Sequence, residues 1–184
     1  MSMQRELVEA AIKGDHDAFS ELVRLSSRKL YGVAMLILRD KTRAEDATQE
    51  ALVAAWRDLS GLRDPDRFDA WLHRVLVREC YREAKRERRR IEVEGQVRPV
   101  TESTDPSHQN ADRDELERGF ARLPVDQRTV LVLHHYVGYT FPEIAETLGI
   151  PVGTAKSRVN RAVAAMRAAL TADARTTTQG RTSL

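Results

Sequence analysis

Two short amphipathic patterns separated by Gly149 and Pro151 constrain this chain more than any other feature, because residues 140–170 read as two helices joined by a tight turn. Thr140 and Glu143 have the Thr-x-x-Glu spacing of a capping box, and Pro142 sits in the first turn, where a missing N–H costs nothing. Ile144, Ala145 and Leu148 give this helix one apolar side. Gly149 ends it by taking left-handed backbone, and Pro151 refuses continuation. Val152, Ala155, Val159, Val163, Met166 and Leu170 then recur at three- and four-residue steps, the seam of a longer helix packed on the first. At about 100° per residue, the side opposite Val159 carries Thr154, Ser157 and Arg161, flanked by Arg158 and Asn160, with Lys156 nearer the seam. Between Val152 and Arg175 five basic residues stand against one acid, Asp173. Such a helix suits a DNA major groove, which admits a helix and offers guanine edges to arginine and lysine. Thr154, Ser157 and Arg161 are placed to meet bases, and Lys156 and Arg158 to meet phosphates. A solvated hairpin without a ligand would have the same seam.

At 184 residues, with 41% apolar and 5% aromatic residues, the chain has material for two small helical cores rather than for a disordered polymer. Its net charge of +2 conceals segregation. The single cysteine, Cys80, excludes an intrachain disulfide and a multi-cysteine zinc site, and reads as helix packing. The longest run without Asp, Glu, Lys or Arg, residues 129–142, is too short to span a bilayer, and the charged N-terminus is unlike a secretory signal. A soluble, cytoplasmic protein is expected.

Upstream, a short helix carrying Leu7, Val8, Ala11 and Ile12 is expected to end at Gly14. A second, capped by Asp15 or Asp17, carries Phe19, Leu22, Val23, Leu30, Val33, Ala34, Ile37 and Leu38. Thr42 and Glu45 read as a capping box for a third helix with Ala44, Ala47, Ala51, Leu52, Ala55 and Trp56 inside and Asp46, Gln49 and Glu50 outside. Residues 60–67 read as a loop, with Gly61 and Asp64-Pro65 interrupting the pattern, and Asp66 as the cap of a fourth helix. That helix buries Phe68, Trp71, Leu72, Val75 and Leu76 and then becomes strongly charged, with seven basic residues and three acids between Arg78 and Arg90. Pairing of such charges along a solvated helix explains part of the run.

From Glu92 to Glu117 eight acids stand against two arginines, with Pro99 and Pro106 between them, and the first part reads as a flexible linker. Helix resumes near Asp112 with Leu116, Phe120 and Leu123. Past Pro124, Asp126 is expected to cap a helix through Val130, Leu131, Leu133 and Tyr136. The organisation is all-α: a domain over 1–91, an acidic linker over 92–111, a helix-turn-helix domain over 112–171 and a disordered tail over 172–184. His134 and His135 are neighbours whose side chains should diverge by about 100°, which is wrong for a shared metal. No nucleophile elbow or acid cluster is visible, so neither catalysis nor a cofactor or metal is expected.

Two helical domains, an acidic linker, a basic helix closing the first domain and a helix-turn-helix in the second together resemble the extracytoplasmic-function group of bacterial RNA polymerase sigma factors, over roughly residues 5–170. By that resemblance Asp46, Gln49 and Glu50 belong to the helix that binds core RNA polymerase. Arg63, Asp64, Trp71, Arg74, Arg78, Arg82, Lys85 and Arg86 belong to the loop and helix that engage and melt the downstream promoter element. Thr154, Lys156, Ser157, Arg158 and Arg161 belong to the reader of the double-stranded upstream element. The family's loop captures a base extruded from the duplex, and its linker lies in the polymerase's RNA-exit path. Many members have an anti-sigma partner. One departure stands out: Arg78 and Arg82 occupy positions where relatives often have Asn and Asp. A conventional helix-turn-helix repressor or activator would leave the Asp46 motif and the fourth-helix basic run without a task, and a nucleic-acid-processing enzyme would need the acids or nucleophile that the sequence lacks.

Overall fold

The computed structural model describes residues 3–94 and 111–181, and the side chains of 3–93 and 116–171. Among the described residues there is no β-strand. The chain divides into two compact units, one built on the N-terminal helices and one on the C-terminal helices.

The first unit contains α1 (Met3–Ile12), α2 (His16–Leu38), α3 (Lys41–Asp58) and α4 (Phe68–Glu94). Gly14 turns the chain at φ 95°, and the Asp15 carboxylate accepts from the N–H groups of Asp17 and Ala18, so Asp15 is the cap of α2. At the far end Arg39 takes a left-handed conformation, φ 58°, and its N–H returns to the Met35 carbonyl. Asp40 follows at once and caps α3 by accepting from the Arg43 N–H at 2.9 Å. The expected Thr42–Glu45 box is therefore displaced, because Asp40 reaches the free N–H groups first and leaves Thr42 inside the first turn. α3 buries Ala44, Ala47, Ala51, Ala54 and Ala55 between α2 and α4, and such small side chains let helix axes approach closely. Leu22, Leu30, Ile37, Phe68 and Leu76 fill the rest of this core, each contributing about 1.5–3 kcal/mol by leaving water.

Between α3 and α4 the expected loop contains two 3-10 turns, Leu59–Gly61 and Pro65–Arg67. Asp64, not Asp66, is the cap here, accepting from the Asp66 N–H at 3.1 Å, because Pro65 fixes the turn one residue earlier. α1 fastens this segment: Gln4 donates to Asp69 at 2.9 Å, and Arg5 bridges Glu9 and Asp66. α4 runs to Glu94, past the expected boundary at 91. Residues 95–110, most of the expected linker, lie outside the described residues.

The second unit contains α5 (Ala111–Ala121), α6 (Val125–Leu131), α7 (Phe141–Leu148) and α8 (Val152–Arg181). α5 meets α8 at Gly119, where an added Cβ would lie 3.4 Å from Met166 Sδ. Arg128 ties α6 to α5 by donating to the Ala121 carbonyl at 3.1 Å. α6 begins after Pro124 with no side-chain cap, so Asp126 sits in the first turn instead of capping it. The helix expected to reach Tyr136 loosens into a π turn, Val132–Tyr136, in which the Val137 N–H bonds the Val132 carbonyl. α8 continues to Arg181, so the tail expected to be disordered from 172 is helical that far: past Leu170 the seam ends, but no proline stops the helix.

Candidate nucleic-acid interface

α3 presents Asp46, Gln49 and Glu50 on one exposed side, together with Val53, because the alanines of the opposite side are buried. None of the three polar side chains has a hydrogen bond or ion pair among the described residues. Beside them an open apolar groove of about 730 Å3 lies between α2 and α3, lined by Phe19, Tyr31, Leu52, Val53 and Trp56. The sequence pattern had assigned Leu52 and Trp56 to the core. Both are half-buried and line this groove, with the Trp56 ring against His16 and Phe19 at 4.6 and 4.8 Å.

Along α4 the structure brings the expected contact residues onto one stripe. Arg74, Arg78, Arg82, Lys85 and Arg86 are exposed, as is Arg89, and Trp71 stands half-buried at the head of the row. Apart from the adjacent Lys85 and Arg86, successive members are three or four residues apart, which keeps them within one helical face. Arg63 is exposed in the loop before α4. Asp64 is exposed as well, but one of its oxygens is committed to capping.

Two acids that the sequence placed on a solvated face are buried. Glu79 and Glu83 are 4% and 8% exposed, and each lies beneath an exposed arginine one helical turn on. Arg82 Nη1 donates to both oxygens of Glu79 at 2.8 and 2.9 Å, Arg78 Nε stands 3.4 Å from the same carboxylate, and Arg86 pairs with Glu83. Further along, Arg90 pairs with Glu87 at 2.9 Å and Arg88 with Glu92 at 3.0 Å. Beneath this row Cys80 is buried, and desolvation pushes its thiol up to about 12, so it is inert packing. His73 is buried too: desolvation, and then nearby Lys29, lower its pKa to about 4, so it is neutral at pH 7.

In the second unit α7 and α8 form the helix-turn-helix. Glu143 accepts from the Thr140 N–H at 2.7 Å, which is one half of the expected capping box, and the Thr140 hydroxyl also donates to Glu143. Gly149 is left-handed at φ 64°, and the Ile150 N–H returns to the Ala145 carbonyl at 2.9 Å, closing α7. α8 starts from Pro151, whose carbonyl accepts from Thr154 and Ala155.

The seam of α8 is Ala155, Val159 and Ala162, all buried, with Val163, Met166 and Leu170 half-buried. Val152, expected in the seam, is 48% exposed, because it occupies the first turn, before α8 meets its neighbours. Ser157 and Arg161 point away from the seam and are exposed, as is Lys156 at the side, while Arg158 is half-buried. Thr154, expected on the outward face, is half-buried. Asn160 is exposed close to that face, and Gly153 has open space around it, so both extend the patch. Ser157 donates to the Thr154 carbonyl at 3.0 Å and Arg161 Nε to the Ser157 carbonyl at 3.4 Å. No carboxylate pairs with Lys156, Arg158, Arg161 or Arg167 among the described residues.

Just before the helix-turn-helix, the rings of His134 and His135 meet edge to face at 4.7 Å instead of diverging, a consequence of the π turn. His134 Nδ1 is engaged by the Tyr139 carbonyl at 2.8 Å, and its ring stacks on Phe141 at 5.0 Å. This cluster braces the start of α7. Among the described residues no helix is long and apolar enough to cross a membrane.

Residues 22–90 match the Sigma-70 region 2 family and residues 113–166 the Sigma-70 region 4 family. The chain is 33% identical to the ECF RNA polymerase sigma factor SigM of Mycobacterium tuberculosis over 157 residues, covering 85% of this chain and 79% of SigM. Among solved structures, CnrH in complex with the cytosolic domain of CnrY is similar with a TM-score of 0.67 and 30% identity, covering 94% of this chain and 99% of that one. The fold is also shared with the sigma factor RpoE solved with the anti-sigma factor NepR from Bartonella quintana, at a TM-score of 0.71 and 24% identity, covering 84% of this chain and 98% of that one.

Proposed function

The chain belongs to the extracytoplasmic-function group of RNA polymerase sigma factors, and from that premise we propose which of its surfaces perform each step of initiation. As a sigma factor it binds core RNA polymerase, directs it to promoters and assists melting. The α3 face of Asp46, Gln49 and Glu50 docks on the polymerase. The Arg63 loop and the α4 stripe from Trp71 to Arg86 engage the opened downstream element, where a base leaving the stack can be held by contacts unavailable in the duplex. The outward side of α8 enters the major groove of the upstream element, with Arg161 and Ser157 toward bases and Lys156 and Arg158 toward phosphates.

Binding energy alone accounts for these steps, so the protein acts without a catalytic centre or cofactor, in the cytoplasm where its polymerase works. An anti-sigma protein of the kind seen with RpoE is a further partner. The observation that carries the polymerase contact is the bare α3 face: three polar side chains held outward by a rigid alanine seam, with no internal partner among the described residues. Reversing charge at Asp46 and Glu50 together should weaken binding to core polymerase about tenfold or more while leaving helical content unchanged. Equal affinity of the parent and the double variant in a titration would overturn the assignment of this face.

A further inference from the structure

The α4 stripe contains an acid that stability alone does not explain. Glu79 is almost wholly buried, yet its partners are the half-exposed side chains of Arg78 and Arg82. Burying a carboxylate against exposed guanidinium groups is a poor way to stabilise a helix, because desolvation of the acid offsets much of the attraction. The pairing does fix geometry. Arg82 spends only Nη1 on Glu79, with that nitrogen 2.8 and 2.9 Å from the two carboxylate oxygens, so Nε and Nη2 remain for another acceptor. Arg78 is held at both ends, its Nε 3.4 Å from Glu79 and its Nη2 3.8 Å from Asp58 at the end of α3. A loose arginine must lose rotamer freedom when it meets a base, and one already held loses less. The carboxylate also cancels part of the arginines' attraction for phosphate, which shifts their contribution from general adhesion to directed hydrogen bonding.

We infer that Glu79 is a positioning residue that aims Arg78 and Arg82 at the nucleic acid and thereby sets the base preference of the downstream contact. The inference rests on the assignment of α4 to the downstream element. It also gives Arg78 and Arg82 a shared role: the buried acid supplies the rigidity that their length removes.

The test uses holoenzyme assembled from the full chain and core polymerase, with open-complex formation measured on a panel of single-base downstream variants. Arg82→Ala and Glu79→Gln should each flatten the preference between best and worst bases by about fivefold or more. The double variant should be little flatter than Glu79→Gln alone, since Arg82 acts through Glu79. Glu79→Asp, which keeps the charge but withdraws the carboxylate by one methylene, should flatten it too, so the result does not hang on how well the Gln variant folds. Thermal unfolding run in parallel separates a uniform loss from a change of preference. If Arg82→Ala flattens the panel while both Glu79 variants keep the parental pattern, the positioning role is overturned and the downstream assignment stands. If Arg82→Ala itself keeps the parental pattern, both fall.

Discussion

Along α4, Arg78, Arg82, Arg86, Arg88 and Arg90 each meet a carboxylate of their own helix, whereas along α8 Lys156, Arg158, Arg161 and Arg167 meet none among the described residues. Both segments carry an excess of basic residues, so counting charge makes them look alike. Their consequences for nucleic acid differ. A free cation that reaches a phosphate releases a counterion and binds every sequence alike, in proportion to how little salt is present. An arginine already paired releases less and offers direction instead. On the proposed assignments, α8 would supply long-range, salt-dependent attraction along with base contacts, and α4 would add discrimination once the DNA is in place. An exposed pair such as Arg88–Glu92 contributes little to folding, about 0–1 kcal/mol, and desolvation of Glu79 and Glu83 offsets much of what their pairs return, so on the proposed assignment the α4 row is better understood through a ligand than through stability.

Acid should break the α4 side of the comparison most severely. His73 lies buried in α4 with a pKa lowered to about 4, against 6.5 when unfolded. Between those values the unfolded chain binds a proton that the folded chain refuses, so stability is complete above pH 6.5 and is lost as pH falls toward 4. The loss should reach roughly 3 kcal/mol by pH 4. Trp56 and Trp71 are the chain's two tryptophans and both belong to the first unit, so urea unfolding followed by tryptophan fluorescence isolates it. His73→Phe should remove this component of the pH dependence. An unchanged difference between pH 6.5 and 4 in the variant would assign it to the carboxylates instead.

On α8, Arg161→Ala should cost about 1–3 kcal/mol on promoters carrying its preferred base and little elsewhere. A loss of equal size on every single-base variant of the upstream element would make Arg161 a phosphate contact. Lys156→Ala should weaken all sequences alike and lower the slope of log affinity against log salt by about 0.9. A selective loss at one base pair would reverse its role with that of Arg161. The smallest effect sharpens the contrast itself: Glu83→Gln releases Arg86 on α4, and DNA binding by the holoenzyme should become slightly more salt-dependent, by less than about 0.9 in slope. A slope that stays the same would mean that pairing with Glu83 does not restrain Arg86.

Much of this contrast could not be read from the sequence. The helices, the turn at Gly149 and the alanine seam of α3 were legible because periodicity and turn residues act locally. The caps were less so. Asp40 and Thr42 lie two residues apart and either can accept from the first free N–H groups, as can Asp64 and Asp66, and the choice depends on where the preceding turn delivers the chain. The π turn at Val132 leaves no signature in an apolar run. Glu79 and Glu83 looked like ordinary solvated partners at helical spacing; their burial is set by tertiary packing, which no local pattern encodes. On α8, Ser157, Arg161 and Lys156 are exposed as expected because the buried seam fixes the opposite face, while Thr154, at the margin of that face, is half-buried. The family resemblance supplied the tasks, and the pairing pattern distinguishes how the two helices perform them.

Promoter-dependent run-off transcription with purified core polymerase reads sigma activity itself. Templates are drawn from random DNA by the reconstituted holoenzyme, and each is then assayed intact, with its upstream element exchanged, and with its downstream element exchanged. A transcript of fixed length is expected that requires both the protein and core polymerase and falls sharply when either element is replaced. Transcript no more abundant than with core polymerase alone, on DNA that the protein nevertheless binds, would contradict it.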